Sequence, residues 1–137
     1  MKIASEKEMI ELGASIAKDL HAPKVIELVG DVGAGKTTFV RGLAEGLGVK
    51  EPVTSPSFTI SKSYAYPGGT LTHYDFYRLP DPGLMLDDLA ESIADPGSIV
   101  IVEWADTVEN ILPADCMRIT IKYNDDNTRE VELWNYI

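Results

Sequence analysis

The alternation of apolar and polar residues predicts an amphipathic helix near the start of the chain. Ser5-Glu6-Lys7-Glu8 fits the S-x-x-E pattern of a helix-capping box. Apolar residues then recur at helical spacing, at Met9, Leu12, Ile16 and Leu20. We therefore expect a helix over roughly residues 6–20, which Pro23 prevents from continuing.

Two more helices are predicted further along the chain. The first covers residues 36–47, and Gly48 follows it at the position of a helix C-cap. Its apolar residues lie on one side, at Phe39, Val40, Leu43 and Leu47. A shorter helix is expected at residues 84–93, before the turn formed by Asp95-Pro96-Gly97.

The other apolar segments have the length and composition of β-strands. Two of them are short and almost wholly apolar, as buried strands are, at residues 25–29 and 98–103. The remaining ones form two predicted hairpins, residues 59–66 with 70–77, and residues 117–123 with 130–134. The elements together predict an α/β fold with a mixed, partly antiparallel central sheet flanked by helices.

Length and composition favour one domain with its own core. The chain has 137 residues, and 45% of them are hydrophobic, so a core can form without metals or disulfides. It has one cysteine, which excludes an intramolecular disulfide and fits a reducing compartment. The N-terminus has no secretory pattern, and the apolar runs are too short for a membrane span. We expect a cytoplasmic protein that does not contact membranes.

The charge of the chain limits its possible partners. The formal net charge is −10, and the twelve Lys and Arg residues form no basic run. Such a surface repels phosphate backbones, which argues against independent, tight binding of nucleic acid. A single bound nucleotide stays possible, because backbone amides and one lysine can supply a local positive site.

The strongest chemical signal is a phosphate-binding loop. Residues 30–37 satisfy the motif G-x-x-x-x-G-K-[ST] between a predicted strand and a predicted helix. Glycines let the backbone approach a phosphate chain, and the amides form an anion nest at the helix N-terminus. Lys36 would reach the β- and γ-phosphates, and the Thr37 hydroxyl would bind Mg²⁺. A random chain of this length would match by chance roughly once in two hundred times.

A second magnesium ligand is expected from a neighbouring parallel strand. The predicted strand 98–103 ends in Glu103, and ligands of open α/β sheets bind at the carboxyl ends of strands. Aspartate is the usual acid at this position, so Glu103 is a variation. The alternative is a carboxylate at the sheet edge that binds no ion.

Several classes of P-loop protein do not fit. The chain lacks the N-K-x-D run with which GTP-specific proteins bind guanine. It has four arginines and little room for inserts, whereas small-molecule kinases need an arginine-bearing lid and a second substrate pocket.

Four segments in this order closely resemble the bacterial TsaE (YjeE) family. They are G-D-V-G-A-G-K-T-T-F at 30–39, T-S-P-S-F at 54–58, H-Y-D-F-Y-R-L at 73–79 and V-E-W at 102–104. The resemblance covers nearly the whole chain. It implies one P-loop ATPase domain over residues 1–137, which uses ATP and Mg²⁺ in making N6-threonylcarbamoyladenosine in tRNA. The implied partners are TsaD and TsaB, with tRNA reached only indirectly through them.

The resemblance also implies roles for individual residues. Lys36, Asp75 and Glu103 would be catalytic, with Asp75 near the γ-phosphate and Glu103 and Thr37 on Mg²⁺. The nucleotide would be bound by Glu6, Gly33, Ala34, Gly35, Lys36, Thr37, Thr38 and Arg129. Residues 54–57 would form a switch-like loop near the γ-phosphate. The family often has Thr at the position of Met9, so a hydroxyl contact to the nucleotide would be lost there.

Simpler interpretations stay open for several of these residues. The loop at 54–57 could be a plain connector, and Asp75 could be a strand-end carboxylate paired with Arg78. His73 is interpreted as a structural histidine rather than a catalyst. Trp104 is expected to pack beside the phosphate loop, as core or as partner surface.

The expected reaction is ATP hydrolysis, in which Asp75 or Glu103 orients the attacking water. No arginine is obviously placed as a finger, so we expect slow hydrolysis by the monomeric chain alone and stimulation by its partners. Two alternatives remain. One is a nucleotide-gated docking module in which hydrolysis is incidental, and the other is a small phosphotransferase.

Overall fold

The computed structural model describes residues 1–31, 33–56, 61–77 and 83–135. Predictions for Val32, for residues 57–60 and for Arg78 and Leu79 therefore lie outside the described residues. These include the start of the strand predicted at 59–66, Ser57 of the switch-like loop and the pairing of Asp75 with Arg78.

The described residues form one seven-stranded sheet with three α-helices. The strands are β1 (Lys2–Ile3), β2 (Lys24–Val29), β3 (Ser61–Tyr66), β4 (Gly69–Asp75), β5 (Ser98–Glu103), β6 (Met117–Tyr123) and β7 (Arg129–Trp134). The helices are α1 (Glu6–Ala17), α2 (Lys36–Leu47) and α3 (Leu84–Ala94). Two short 3₁₀ turns, Ala105–Thr107 and Glu109–Ile111, follow β5.

The sheet is mixed, as predicted. Its order is β1-β7-β6-β2-β5-β4-β3. The four central strands β6, β2, β5 and β4 are parallel, and the outer pairings are antiparallel. Since the carboxyl ends of parallel strands meet at one edge, the segments that follow β2, β4 and β5 lie close together.

Two apolar layers cover the sheet. On one face α1 and α2 pack against β2 and β5 through Phe39, Leu43, Leu28 and Ile101. On the other face α3 packs against Tyr74 and Val102, among others. None of the described helices is long and apolar enough to cross a membrane.

Glycine allows the close approach of α1 and α2. A Cβ on Gly42 would lie 2.3 Å from the carbonyl oxygen of Ile10, and one on Gly13 would lie 2.6 Å from the Leu43 nitrogen. Any larger side chain at either position would push the helices apart. The close packing brings the start of α1 next to the start of α2.

Most predicted boundaries agree with the structure, and the exceptions have local causes. Helix α1 is shorter than predicted, because the next amides bond three residues back: Asp19 to Ile16 and Leu20 to Ala17. Strand β4 ends at Asp75 rather than at Tyr77, because the Asp75 side chain accepts the Tyr77 amide in a turn. Strand β1 was not predicted.

Candidate functional site

A cavity of about 790 Å³ lies at the carboxyl ends of β2, β4 and β5. Most of the predicted site residues line it, and they are Glu6, Gly33, Gly35, Lys36, Thr37, Thr38, Asp75, Glu103 and Arg129. Ala34 is buried beside it. The structure thus brings the predicted residues together, although their chemical roles stay predictions.

Two glycines of the predicted phosphate loop adopt positive φ angles. Gly33 and Gly35 have φ angles of 85° and 107°, in the region that favours glycine. Helix α2 starts directly after Gly35 with no side-chain cap and no acidic residue in its first turn. By contrast, the predicted capping box closes the start of α1, with Ser5 Oγ accepting from the Glu8 amide at 3.1 Å. The first amides of α2 therefore stay available for an anion.

The ammonium group of Lys36 contacts a carbonyl, a carboxylate and an aromatic ring. The side chain is only 7% exposed. Its Nζ donates to the Gly30 carbonyl, lies 3.4 Å from Glu103 Oε1 and lies 4.3 Å from the centre of the Trp104 ring. A phosphate entering the nest would offer this ammonium group a stronger acceptor than the carbonyl.

Two carboxylates stand side by side on adjacent strands. Asp75 of β4 and Glu103 of β5 are direct partners in the parallel register. Glu103 is only 3% exposed, and its Oε2 is in hydrogen-bond contact with His73 Nε2. Burial raises the pKa of Asp75, and the neighbouring Glu103 adds to the rise, whereas the Tyr77 amide, His73 and Lys36 oppose it.

The donor set suits magnesium held jointly by protein and nucleotide. The Thr37 hydroxyl and the Glu103 carboxylate are hard oxygen donors, which Mg²⁺ prefers. Among the described residues, no three His, Cys, Asp or Glu side chains are grouped so that they could hold a metal by themselves. Phosphate oxygens would therefore have to complete the shell, as is usual for Mg²⁺ in nucleotide sites.

The opposite wall is built by the hairpin of β6 and β7. Arg129 Nε donates to the Ala34 carbonyl at 3.0 Å, and its guanidinium lies 3.9 Å from the centre of the Tyr123 ring. This arginine therefore ties the hairpin to the phosphate loop. Met9 also lines the cavity, and its Cε lies 3.4 Å from the place of a Cβ on Gly35.

Sequence reasoning missed several lining residues. Tyr77, Tyr123 and Asn127 face the cavity, and residues 3–5 form part of its wall. Trp104 packs beside the phosphate loop, as expected from the sequence, but in an unexpected backbone conformation, with a φ angle of 56°. A non-glycine residue in that region directly after Glu103 is typical of a functional site. Ser55 of the predicted switch-like loop also lines the cavity.

The family model and the relatives that this chain matches carry the same family name. The family model described as "Threonylcarbamoyl adenosine biosynthesis protein TsaE" matches residues 3–131. Two relatives are named "tRNA threonylcarbamoyladenosine biosynthesis protein TsaE". The one from Bacillus subtilis is 42% identical over 91% of this chain and 76% of its own length. The one from Aquifex aeolicus is 40% identical over 96% and 92%.

A solved structure shares the fold. It is the crystal structure of Bacillus subtilis YdiB, which superposes with a TM-score of 0.79 at 35% sequence identity. The match covers 96% of this chain and 80% of that one. The predicted fold class is therefore confirmed.

Proposed function

The chain belongs to the TsaE family, and we propose that it is the ATPase component in the synthesis of threonylcarbamoyladenosine in tRNA. The relatives that it resembles are named for that pathway. TsaD and TsaB are the proposed protein partners, and tRNA binds to them rather than to this acidic chain. The proposed location is the cytoplasm.

One observation carries the ATPase proposal. An uncapped helix start, a buried lysine and two in-register carboxylates meet at a single cavity. The amides of the nest and Lys36 provide positive potential for a triphosphate. Asp75 and Glu103 line the same cavity, which supports a role for them in orienting a water molecule or a metal beside the last phosphate.

Different residues of the chain have different roles in the proposed hydrolysis. Lys36 leaves Glu103 and the Gly30 carbonyl to offset the negative charge on the β- and γ-phosphates. Thr37 and Glu103 would hold Mg²⁺, which neutralises charge on the same phosphates when bound. Asp75 or Glu103 then orients the attacking water in line with the bond that breaks.

The contacts of the arginines that the structure describes are the reason to expect slow ATP hydrolysis by the isolated chain. Arg129 is bonded to the carbonyls of Ala34 and Asn127. Arg41 lies 3.6 Å from Glu6, and Arg118 is bonded to Glu27. Each of these arginines is thus bonded to a group of the protein itself, and an arginine finger typically contributes about 10³–10⁵ in rate. We infer that the TsaB–TsaD complex completes or orders the site.

A steady-state ATPase assay tests this proposal. Turnover of MgATP is measured for the chain alone, with TsaB–TsaD, and with TsaB–TsaD plus tRNA. We expect slow hydrolysis by the chain alone and at least a tenfold rise with the partners. Fast hydrolysis by the lone chain that does not change when partners are added would contradict the proposal.

A nucleotide-gated docking module is the second candidate. Tyr77 is 41% exposed, and its ring lies 4.8 Å from Trp104, which in turn contacts Lys36. Nucleotide occupancy could thus alter a surface that partners contact. An Asp75→Ala variant that abolishes hydrolysis separates the two candidates. Normal multiple-turnover tRNA modification by that variant would favour the docking module.

A further inference from the structure

The polar group that contacts Glu103 from inside the protein is a histidine. His73 lies on β4 and is completely buried. It stands two residues before Asp75, so both side chains point to the face of the sheet that α2 covers. Its Nε2 contacts Glu103 Oε2 on the adjacent strand.

The hydrogen bonding of His73 is one-sided. An ionised carboxylate only accepts, so Nε2 is the nitrogen that carries the proton and donates to Glu103. Nδ1 is buried and has no hydrogen-bond partner among the residues that the structure describes. Buried polar atoms are usually paired, and a histidine kept for packing alone would be expected to pair both nitrogens. The polar contact of His73 is therefore directed at Glu103.

The two oxygens of Glu103 are held in different ways. Oε2 faces the interior and is bonded to His73, whereas Oε1 lies 3.4 Å from Lys36 Nζ. That distance is longer than a good charge-assisted hydrogen bond, so the contact with Lys36 is the weaker one. If Lys36 turns to a phosphate in the proposed function, its contact with Oε1 is the one that is given up, while the contact of Oε2 with His73 does not depend on Lys36.

We propose that His73 is a positioning residue that fixes Oε2 of Glu103, so that Oε1 alone is presented to the magnesium–nucleotide complex. This inference rests on the proposed function, because it concerns the same metal and nucleotide. His73 itself does not touch either of them. Groups that orient a metal ligand from behind typically change metal affinity or activity by about 10–100-fold when they are removed.

Nuclear magnetic resonance tests the contact without any ligand. The chain has two histidines, and His21 is exposed, so it serves as an internal reference. We expect ¹⁵N-labelled His73 to show a protonated Nε2 and an unprotonated Nδ1. A Glu103→Gln variant should move the Nε2 and Nε2–H resonances of His73 and leave the ring ¹⁵N resonances of His21 unchanged. If the substitution leaves the His73 resonance in place, the hydrogen bond is absent and the proposal is overturned.

Magnesium dependence tests the role. The measured quantity is the ratio of ATP affinity with Mg²⁺ to ATP affinity in chelator, which a general loss of stability does not change in folded protein. We expect His73→Leu to lower this ratio about tenfold or more. His73→Gln should restore it to within about threefold, because the glutamine amide reaches the position of Nε2 and can donate to Oε2. His21→Gln is the matched control and should leave the ratio unchanged.

The outcomes separate this inference from the proposed function. An unchanged ratio in folded His73→Leu, or a Gln variant no better than the Leu variant, overturns the positioning role while the proposed function stands. If the wild-type chain binds no MgATP, the proposed function fails and this role fails with it, even where resonance shows the His73–Glu103 bond. If neither His73→Leu nor His73→Gln folds, the His73 Nε2–H resonance still decides the matter: an unmoved resonance in Glu103→Gln overturns the proposal, and a moved one supports it.

Discussion

His73 and Tyr74 are neighbours on β4, and they point to opposite faces of the sheet. Both are completely buried and both carry polar atoms. The Tyr74 hydroxyl lies 2.7 Å from both Asp88 Oδ2 and Ser92 Oγ of α3, so it can donate one hydrogen bond and accept another. His73 leaves Nδ1 unpaired among the described residues and gives its one hydrogen bond to Glu103.

The difference separates a structural face from a functional one. On the α3 face, the buried Tyr74 hydroxyl bonds to side chains of α3 and so joins that helix to the sheet. On the α2 face, like charges of Asp75 and Glu103 adjoin, and the start of α2 has no side-chain cap. Proteins tolerate adjacent like charges and uncapped helix starts mainly where a ligand will bind to them. The comparison predicts that substitutions on the α2 face change ligand binding, whereas substitutions on the α3 face change stability alone.

The largest effect is expected from Lys36→Ala. Removing the ammonium group eliminates the charge-assisted contact with the phosphates, so ATP affinity should fall roughly 10- to 100-fold. Stability should fall as well, because Glu103 loses a nearby positive charge. Binding is therefore measured by calorimetric titration with MgATP on protein whose folding is confirmed by circular dichroism.

Lys50→Ala is the matched control for that experiment. Lys50 is exposed and follows α2, and it does not line the cavity among the described residues. We expect its ATP affinity to equal that of the wild type. A folded Lys36→Ala protein with unchanged affinity would show that the α2 face does not bind the phosphates as proposed.

Tyr74→Phe is expected to lower the stability of the protein moderately. It removes the hydroxyl that fastens α3 while keeping the ring, which stacks on Phe76. Because Asp88 is exposed and can bond to water, the loss should be about 1 kcal/mol, or about 4 °C in Tm. ATP affinity should not change. Urea unfolding and nucleotide titration measure the two quantities.

Tyr66→Phe is the control, because the Tyr66 hydroxyl has no hydrogen bond to any residue that the structure describes, and Tyr66 lies on edge strand β3. Its loss of stability should be smaller. A Tyr74→Phe variant that weakens ATP binding as much as it weakens folding would remove the distinction between the faces.

Local signals were sufficient for the elements nearest the phosphate loop. Helix α2 runs from Lys36 to Leu47 as predicted, since Gly35 and Gly48 mark both ends. Strand β5 was likewise predicted to its last residue, because a short apolar run begins after a turn and ends in an acid. Residues that act through their own backbone or through sequence neighbours could thus be placed from the sequence.

Contacts that depend on register and topology could not be placed in this way. The bond between His73 and Glu103 requires β4 to lie beside β5 in one particular register. The bond from Arg129 to the Ala34 carbonyl requires the β6–β7 hairpin to reach the phosphate loop, and the two residues are 95 positions apart. Strand β1 has two residues, too few for any periodic pattern.

Asp75→Asn should produce the smallest effect, a slight gain in stability on the functional face. Burial and Glu103 raise the pKa of Asp75 in the folded protein above its ordinary value of 3.8. The folded state therefore favours the protonated form, and stability decreases as pH rises through the raised pKa.

Asparagine is always neutral and can still accept the Tyr77 amide, so the Asp75→Asn variant should have the higher Tm at neutral pH. The difference should shrink as pH falls through the raised pKa toward the ordinary value of 3.8, whereas the exposed control Asp125→Asn should show no such trend. Thermal melts between pH 4 and 8 measure it, and a lower Tm for Asp75→Asn at neutral pH would mean that the folded protein does not favour the uncharged side chain at this position.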